Sequence, residues 1–233
     1  MLKLHQLSVG YHQNGLFPPI DAAANKGCLI GLLGVNGIGK STLLKTVAGL
    51  QRPVTGTVEV NGENLHLFSP HKKATLITIA GTEREYIPFM SVKEFIQLGR
   101  YRFEKHNALL SEISVEVQQI VQQLALQHIA EKQLLEISDG ERQKATVARA
   151  LAQETPILLL DEPTAFLDYK NKSFILSTLR SIAELQQKII IVSTHDLEAS
   201  FTYCHHWWIL NEQGVFKSTS DALVAKQLLT EHQ

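Results

Sequence analysis

Cysteine is scarce in this sequence, and it has neither a long apolar run nor a surplus of charge of one sign. Cys28 and Cys204 stand in dissimilar surroundings, which favours reduced thiols over a disulfide framework. The longest apolar run, Cys28–Val35, falls well short of the roughly 20 residues that a membrane-spanning helix needs. Lysine and arginine number 22 against 23 acidic residues, which removes the general electrostatic argument for binding nucleic acid. We therefore expect a chain that neither crosses a bilayer by itself nor binds nucleic acid.

The short apolar runs in the second half of the chain predict an α/β fold. Ile157–Leu160 and Ile189–Val192 are rich in branched residues and typical of parallel strands buried on both faces. Between them, Ile175, Leu179 and Ile182 place an apolar stripe on a helix. A strand, a helix and a second strand in this order are the unit from which parallel sheets are built.

The first half of the chain shows other patterns. Thr57–Val60 followed by Asn61 and Gly62 predicts a tight β-hairpin, because this dipeptide tolerates the positive φ angles of a type I′ turn. A further strand is predicted over Ala74–Ala80. A helical insertion is predicted over about residues 85–145, where one apolar stripe has helical spacing. That stripe consists of Val117, Ile120, Val121 and Leu124.

The most specific motif is a glycine-rich loop between a predicted strand and a predicted helix. Gly34–Ser41 fits the pattern G-x-x-x-x-G-K-[ST]; the apolar strand Leu29–Leu33 precedes it, and a helix ending near Gly49 follows. Glycines let backbone N–H groups turn inward around a polyphosphate, at a helix N-terminus that favours negative charge. Lys40 would reach the β- and γ-phosphates, and the Ser41 hydroxyl would ligate Mg²⁺. The chain is predicted to bind a nucleoside triphosphate.

Three later segments carry polar residues suited to phosphate chemistry. The strand Ile157–Leu160 ends in Asp161, which could hold the hydration shell of Mg²⁺, and Glu162, which could accept a proton from the attacking water. Upstream, Ser138–Gln143 opens a helix. His195 follows the next strand, at the carboxyl edge of the sheet, where open α/β sheets bind their ligands.

In this order and spacing the motifs resemble those of the ATP-binding subunits of ABC transporters, and the resemblance covers essentially the whole chain. It implies a P-loop NTPase (RecA-like) core with an N-terminal antiparallel β subdomain, formed by residues 1–84 and 146–233. It also implies an inserted helical subdomain over residues 85–145. The implied activity is ATP hydrolysis coupled to transport, by a cytoplasmic subunit peripheral on the inner face of the cell membrane.

The resemblance also implies residue roles. Tyr11 falls where an aromatic ring stacks on adenine; a strand-edge aromatic in the core is the alternative. Ser138 and Gly140 would contact the γ-phosphate bound to a second copy, because the family works as a head-to-tail pair with two ATP molecules at the interface. Asp168 would lie at that interface and couple the two sites, and His195 would contact the γ-phosphate and help hold the attacking water. The residues implied to hold the phosphates are Gly34, Asn36, Gly37, Gly39, Lys40, Ser41 and Thr42.

Three positions depart from the family pattern. Asp139 replaces the first glycine of the usual Ser-Gly-Gly, and its carboxylate would repel a γ-phosphate unless it points away or pairs with a base. Thr82 stands where the family has a glutamine that binds Mg²⁺; its hydroxyl is a shorter oxygen ligand, and Glu83 is the alternative. Ile137 replaces a leucine, a change between similar apolar side chains.

The stretch Met90–Tyr101 resembles the ATPases of importers for iron–siderophore complexes, haem and cobalamin. It implies transmembrane permease subunits as partners, and a periplasmic or lipoprotein substrate-binding protein as an indirect one. The alternatives are the ATPase subunit of an exporter, or an ABC protein that binds ATP but barely hydrolyses it because of Thr82 and Asp139. A soluble ABC protein without a permease usually has two cassettes or a long coiled coil, for which 233 residues leave no room. A small-molecule kinase has no use for Ser138–Gln143 or His195.

Overall fold

Two β-sheets with helices packed around them organise the chain in the computed structural model, which describes residues 1–12, 14–81, 87–103, 113–210 and 216–230. The strands are β1 (Leu2–Ser8), β2 (Gly10–Tyr11), β3 (Asn14–Gly15), β4 (Ile20–Ala24), β5 (Cys28–Leu33), β6 (Thr55–Val60), β7 (Glu63–Asn64), β8 (Ile77–Ala80), β9 (Ile157–Asp161), β10 (Ile189–Thr194), β11 (His206–Leu210) and β12 (Phe216–Thr219). The α-helices are α1 (Lys40–Val47), α2 (Pro70–Leu76), α3 (Val92–Gln97), α4 (Val115–Gln123), α5 (Asp139–Ala152), α6 (Tyr169–Gln186), α7 (Leu197–Tyr203) and α8 (Ala222–Thr230). Short 3₁₀ helices cover Leu65–Leu67, Leu98–Phe103 and Gln127–Ile129.

The larger sheet has the strand order β12-β11-β5-β10-β9-β8 and is parallel except for β12. The predicted parallel strands Ile157–Leu160 and Ile189–Val192 are confirmed as β9 and β10, which lie side by side. Their register places Ser193 opposite Asp161. Because parallel strands end at the same edge, the polar residues that follow them meet there.

The smaller sheet is antiparallel, with the strand order β4-β1-β6-β7. The predicted hairpin is confirmed: Asn61 and Gly62 have φ angles of 53° and 87°, and Val60 pairs with Glu63. Two residues with positive φ match the right-handed twist of the flanking strands. This sheet covers one face of the larger one.

Each face of the larger sheet is buried in its own apolar cluster. In β5, Leu29 and Leu33 belong to the cluster that contains α5 and α6, whereas Ile30 and Leu32 belong to the cluster that contains α1 and the antiparallel sheet. This alternation is the period of two expected of a strand, with apolar residues on both faces. Within the described part of the chain, no helix combines the length and the apolar character needed to span a membrane.

The predicted strand Ala74–Ala80 is wrong in its first half, because α2 runs through Leu76 and β8 begins at Ile77. The reason is a helix start signal upstream. The Ser69 hydroxyl caps α2 by accepting the Lys72 N–H at 3.2 Å, and Pro70 occupies the first turn. Proline is favoured there because its missing N–H has no helical partner in any case.

The described part of the middle of the chain, residues 87–103 and 113–145, contains helices, as predicted. On the predicted stripe, Val117, Val121 and Leu124 are buried and Ile120 is half-buried. A capping box starts α3, in which Ser91 and Glu94 satisfy each other's backbone N–H groups. The predicted boundary between residues 145 and 146 lies inside α5. This helix would therefore belong to both the core and the predicted helical subdomain.

Candidate functional site

The glycine-rich loop connects the end of β5 to the start of α1. Gly39, the residue before the helix, has φ 113°, a conformation that L side chains rarely adopt, and a Cβ there would lie 3.0 Å from Leu16. No side chain caps α1. Gly37 has φ 82°, and a Cβ there would meet open space. The N–H groups of the first turn are therefore left for an external acceptor, which is the requirement for binding a phosphate.

Lys40 lies across this loop and is only 7% exposed. Its Nζ donates to the carbonyl oxygens of Gly34 at 2.7 Å and Val35 at 3.1 Å. Burial lowers the pKa of Lys40, while Glu162 and Asp161 act to raise it. An ammonium group held by neutral carbonyls near two carboxylates fits a polyphosphate, whose oxygens are stronger acceptors.

The acidic edge of the sheet brings together the ends of β9 and β10 and the residues that follow these strands. The Ser193 hydroxyl donates to Asp161 Oδ1 and accepts the backbone N–H of Glu162 at 3.0 Å. His195 Nδ1 donates to Glu162 Oε2 at 3.0 Å. The structure thus pairs the carboxylate predicted to be the base with the predicted polar histidine, a contact that the sequence did not indicate, and the histidine side chain is mostly exposed.

The segment Ser138–Gln143 begins α5 with a capping box. The Ser138 hydroxyl donates to Glu141 Oε2 at 2.8 Å and accepts the Glu141 N–H at 3.2 Å. Gly140 lies against the loop that follows β9, where an added Cβ would come within 3.0 Å of the Phe166 carbonyl oxygen. Asp168 caps α6 by accepting the Asn171 N–H at 2.8 Å. Within this chain, Ser138 and Asp168 are therefore helix caps.

The unusual carboxylate of Asp139 is paired with a base. Arg142 Nη1 donates to Asp139 Oδ1 at 3.0 Å. The same guanidinium donates from Nη2 to the carbonyl oxygens of Leu134 at 2.7 Å and Ile137 at 3.3 Å. The condition under which a carboxylate is tolerated beside a phosphate site is therefore met.

Tyr11 lies at the end of the short strand β2, and 56% of it is exposed. Its hydroxyl lies 3.3 Å from that of Thr42, in the first turn of α1. This exposure does not fit the alternative of a core aromatic. An exposed ring tied to the phosphate loop is available for stacking, and adenine stacking stays a prediction.

Mg²⁺ was predicted to be held by Ser41, Asp161 and Thr82. Thr82 and the alternative Glu83 lie outside the described residues. Among the residues that the structure describes, no three His, Cys, Asp or Glu side chains cluster in a way that could hold a metal ion. This fits Mg²⁺, which is usually held by one or two protein oxygens together with phosphates and water. Asp161, with one carboxylate oxygen bonded to Ser193, has the other available.

Three residues of the site received no role from the sequence. They are Ser193, Gln143, whose Nε2 donates to the Glu162 carbonyl at 3.2 Å, and Lys144, whose Nζ donates to Asn171 Oδ1 at 3.1 Å. The signal for the last two was available. Both are polar residues on the buried face of α5, where an unsatisfied polar group is costly.

The sequence matches a family of known proteins. The family model described as "ABC transporter" matches residues 17–165. The chain is 39% identical over 202 residues to an uncharacterised ABC transporter ATP-binding protein of Methanocaldococcus jannaschii, covering 85% of this chain and 69% of that protein. It is 33% identical over 225 residues to the achromobactin transport ATP-binding protein of Dickeya dadantii, covering 96% of this chain and 84% of that protein.

Solved structures agree on the architecture. A metal-chelate type ABC transporter in an inward-facing conformation superposes with a TM-score of 0.76 at 28% identity, covering 94% of this chain and 82% of that one. A dimeric ATP-binding cassette bound to ADP and phosphate superposes with a TM-score of 0.81 at 22% identity, covering 94% and 98%. The second likeness speaks to the fold alone. Together they confirm the predicted fold class.

Proposed function

Since this chain belongs to the ABC transporter family and is one of its ATPases, we propose that it powers an importer for an iron chelate, haem or cobalamin. The names of its relatives support the direction and the cargo class. Besides the achromobactin protein, they include an iron(3+)-hydroxamate import ATP-binding protein of Bacillus subtilis, 31% identical over 220 residues. A cobalamin import ATP-binding protein of Halobacterium salinarum is 32% identical over 185 residues.

The observation that carries the enzymatic part of the proposal is the hydrogen bond between Glu162 and His195. The carboxylate of Glu162 accepts from His195 Nδ1 at 3.0 Å, so its second oxygen is available to take a proton from an attacking water. With Nδ1 donating to the carboxylate, His195 Nε2 points elsewhere and is the atom left for a phosphate oxygen. It donates to that oxygen only when the ring is protonated.

Nucleotide binding uses the loop and its surroundings. The amides at the start of α1 and the Lys40 ammonium would hold the β- and γ-phosphates, with Tyr11 against the adenine. When bound, Mg²⁺ neutralises charge on the phosphate oxygens, and Ser41 and Asp161 would hold it. Thr82 remains a third candidate ligand.

The partner proposals follow the family resemblance. Two copies would close head to tail around two ATP molecules, with Ser138 and Gly140 of one copy on the γ-phosphate of the other and Asp168 between the sites. ATP would favour the closed pair because it binds the closed pair more tightly than the separated copies. Hydrolysis would remove the γ-phosphate that bridges the copies, and the pair would then separate. The exposed rings of Phe89 and Tyr101 (86% and 71%), beside α3, are candidates for contact with the permease on the inner face of the membrane. A substrate-binding protein would act through that permease.

Glu162→Gln tests this proposal, because glutamine keeps the shape of the side chain but cannot act as a base. We expect unchanged ATP binding, no turnover, and an ATP-dependent dimer in size-exclusion chromatography. Glu198→Gln, which changes a glutamate in the first turn of α7, is the matched control and should hydrolyse ATP normally. A Glu162→Gln protein that stays monomeric with ATP would contradict the dimer mechanism.

A further inference from the structure

The backbone of Glu162 is held on both sides by buried side chains. Its φ angle is 51°, in the left-handed region that non-glycine residues seldom occupy. Its N–H donates to Ser193 Oγ at 3.0 Å, and its carbonyl oxygen accepts from Gln143 Nε2 at 3.2 Å. A residue stays in this region only when its surroundings hold it there, and such residues cluster at active sites.

Ser193 acts on two site residues with one hydroxyl. It is fully buried, at 0% exposure, and stands opposite Asp161 in the register of β9 and β10. Its single hydrogen goes to Asp161 Oδ1, because an ionised carboxylate only accepts. The same oxygen accepts the Glu162 N–H, which also donates to the Ser193 backbone carbonyl oxygen at 3.2 Å. The hydroxyl of Ser193 therefore contacts both the Asp161 carboxylate and the backbone of Glu162.

Gln143 connects the other side of the Glu162 backbone to α5. The turn after β9 already gives the Glu162 carbonyl one donor, the Ala165 N–H at 3.0 Å. Gln143 adds a second donor from a different element, the helix that Ser138 caps. Gln143 therefore links α5 directly to the backbone of the residue proposed as the catalytic base.

We propose that Ser193 and Gln143 are positioning residues for ATP hydrolysis. Ser193 orients the Asp161 carboxylate and the Glu162 backbone, and Gln143 fixes that backbone to α5. Neither side chain touches the nucleotide, and both act through Asp161 and Glu162. This inference rests on the proposed function, and the experiments distinguish its failure from a failure of that function.

The first test is Ser193→Ala. We expect kcat to fall about 10- to 100-fold, as for loss of a hydrogen-bond partner of a metal-site carboxylate, with little change in KM for ATP. Ser193→Thr keeps the hydroxyl and should restore most of the rate. The matched control is Ser200→Ala, which removes another buried hydroxyl, one that accepts from Trp207 Nε1 at 3.1 Å away from the site. It should lower stability and leave kcat unchanged.

The second test measures metal binding without turnover. In the Glu162→Gln background, Mn²⁺ is titrated in the presence of ATP and followed by electron paramagnetic resonance. Ser193→Ala should weaken Mn²⁺ binding about 10-fold, because Asp161 is no longer oriented, and leave metal-free ATP binding unchanged. Equal Mn²⁺ affinity with and without the hydroxyl would overturn the role of Ser193.

The third test is Gln143→Met, which keeps the length and burial of the side chain and removes its donor. We expect a lower kcat at unchanged KM, with a smaller effect than Ser193→Ala because the Ala165 N–H remains. Gln97→Met is the control, since Gln97 is also buried and its Oε1 accepts the Ser114 N–H at 3.0 Å. If Ser193→Ala does not fold, the comparison of Gln143→Met with Gln97→Met tests the inference. Equal kcat values for Gln143→Met and its control would overturn the inference, whereas an unsubstituted chain without ATP binding would refute the proposed function.

Discussion

At the scale of single residues, Asp139 shows how a departure from a family pattern is accommodated. Its carboxylate lies in the first turn of α5, where the helix dipole favours negative charge. The same dipole would otherwise favour a phosphate, so an unpaired Asp139 would compete with the ligand. Arg142 neutralises it and is itself anchored on the carbonyls of Leu134 and Ile137. Asp139 was one of two residues that favoured a protein that binds ATP but barely hydrolyses it. Because its carboxylate is paired with Arg142, Asp139 no longer supports that alternative.

Asp139→Asn should therefore strengthen the ATP-dependent dimer. In the Glu162→Gln background, the ATP concentration for half-maximal dimer should fall by up to about five-fold, the equivalent of about 1 kcal/mol for a partly exposed pair. Arg142→Gln should weaken the dimer, and more so when Asp139 is present than in Asp139→Asn. Light scattering against ATP concentration measures dimer formation by four proteins: the Glu162→Gln parent, the parent with Asp139→Asn, the parent with Arg142→Gln, and the parent with both changes. A weaker dimer in Asp139→Asn would show that the carboxylate has a favourable role instead.

At the scale of secondary-structure elements, part of the stretch Met90–Tyr101 packs in the core against α5. Phe95 and Ile96 are buried in the core cluster that also contains α5. Gly99 lies so close to that helix that a Cβ there would be 2.3 Å from the Arg149 carbonyl oxygen and 2.9 Å from the Ala152 Cβ. Much of the pattern shared with the importers therefore serves the packing of the helices, and only its exposed positions are available to a permease.

Gly99→Ala should destabilise the protein by about 1–3 kcal/mol, because the methyl group forces the 3₁₀ helix Leu98–Phe103 away from α5. Gly81→Ala is the control: its φ is not in the left-handed region and its Cβ would make an ordinary contact, 3.8 Å from the Asp161 Cβ. Urea denaturation gives both free energies of unfolding. Equal free energies of unfolding for the two variants would show that the 3₁₀ helix and α5 accommodate the methyl group without loss of stability.

At the scale of the whole molecule, two kinds of titrating group contribute to the dependence of stability on pH. His66 is half-buried, and its Nε2 has no hydrogen-bond partner. Burial, followed by the positive charges of Lys73 and Arg52, lowers its pKa below the ordinary 6.5. The second kind is a carboxylate in a helix cap: the hydrogen bonds with Ser91 lower the pKa of Glu94, and those with Ser138 lower the pKa of Glu141.

Stability should therefore fall in two steps as the pH is lowered. The unfolded chain protonates His66 more readily than the folded one, so stability is lost as the pH falls below 6.5. The cap carboxylates are stabilising above their ordinary pKa of 4.5, and this contribution is lost as the pH falls through their lower folded values. His66→Leu should flatten the first step only, as measured by urea denaturation from pH 7.5 to 4. A first step unchanged in this variant would assign it to another group, such as His206, whose pKa burial also lowers.

Sequence and structure agree best where neighbouring residues decide the conformation. The hairpin at Asn61-Gly62 and the strand–loop–helix around Lys40 have bounds close to those predicted. The predicted apolar stripe of Ile175, Leu179 and Ile182 lies on α6 and is buried. The prediction was wrong at Ala74–Leu76, where the cap at Ser69 outweighed the strand-like residues after it.

By itself, the sequence determined the phosphate loop, the order of the motifs and hence the family, because these features depend on residue types at short, regular spacings. Tertiary structure alone decided which side chains support the site. Gln143 reaches a carbonyl 19 residues away, and Ser193 reaches a carboxylate 32 residues away. The register of β9 against β10 and the packing of α5 choose these partners. No local pattern encodes that choice, because a hydrogen bond forms only between groups that the completed fold has already brought together.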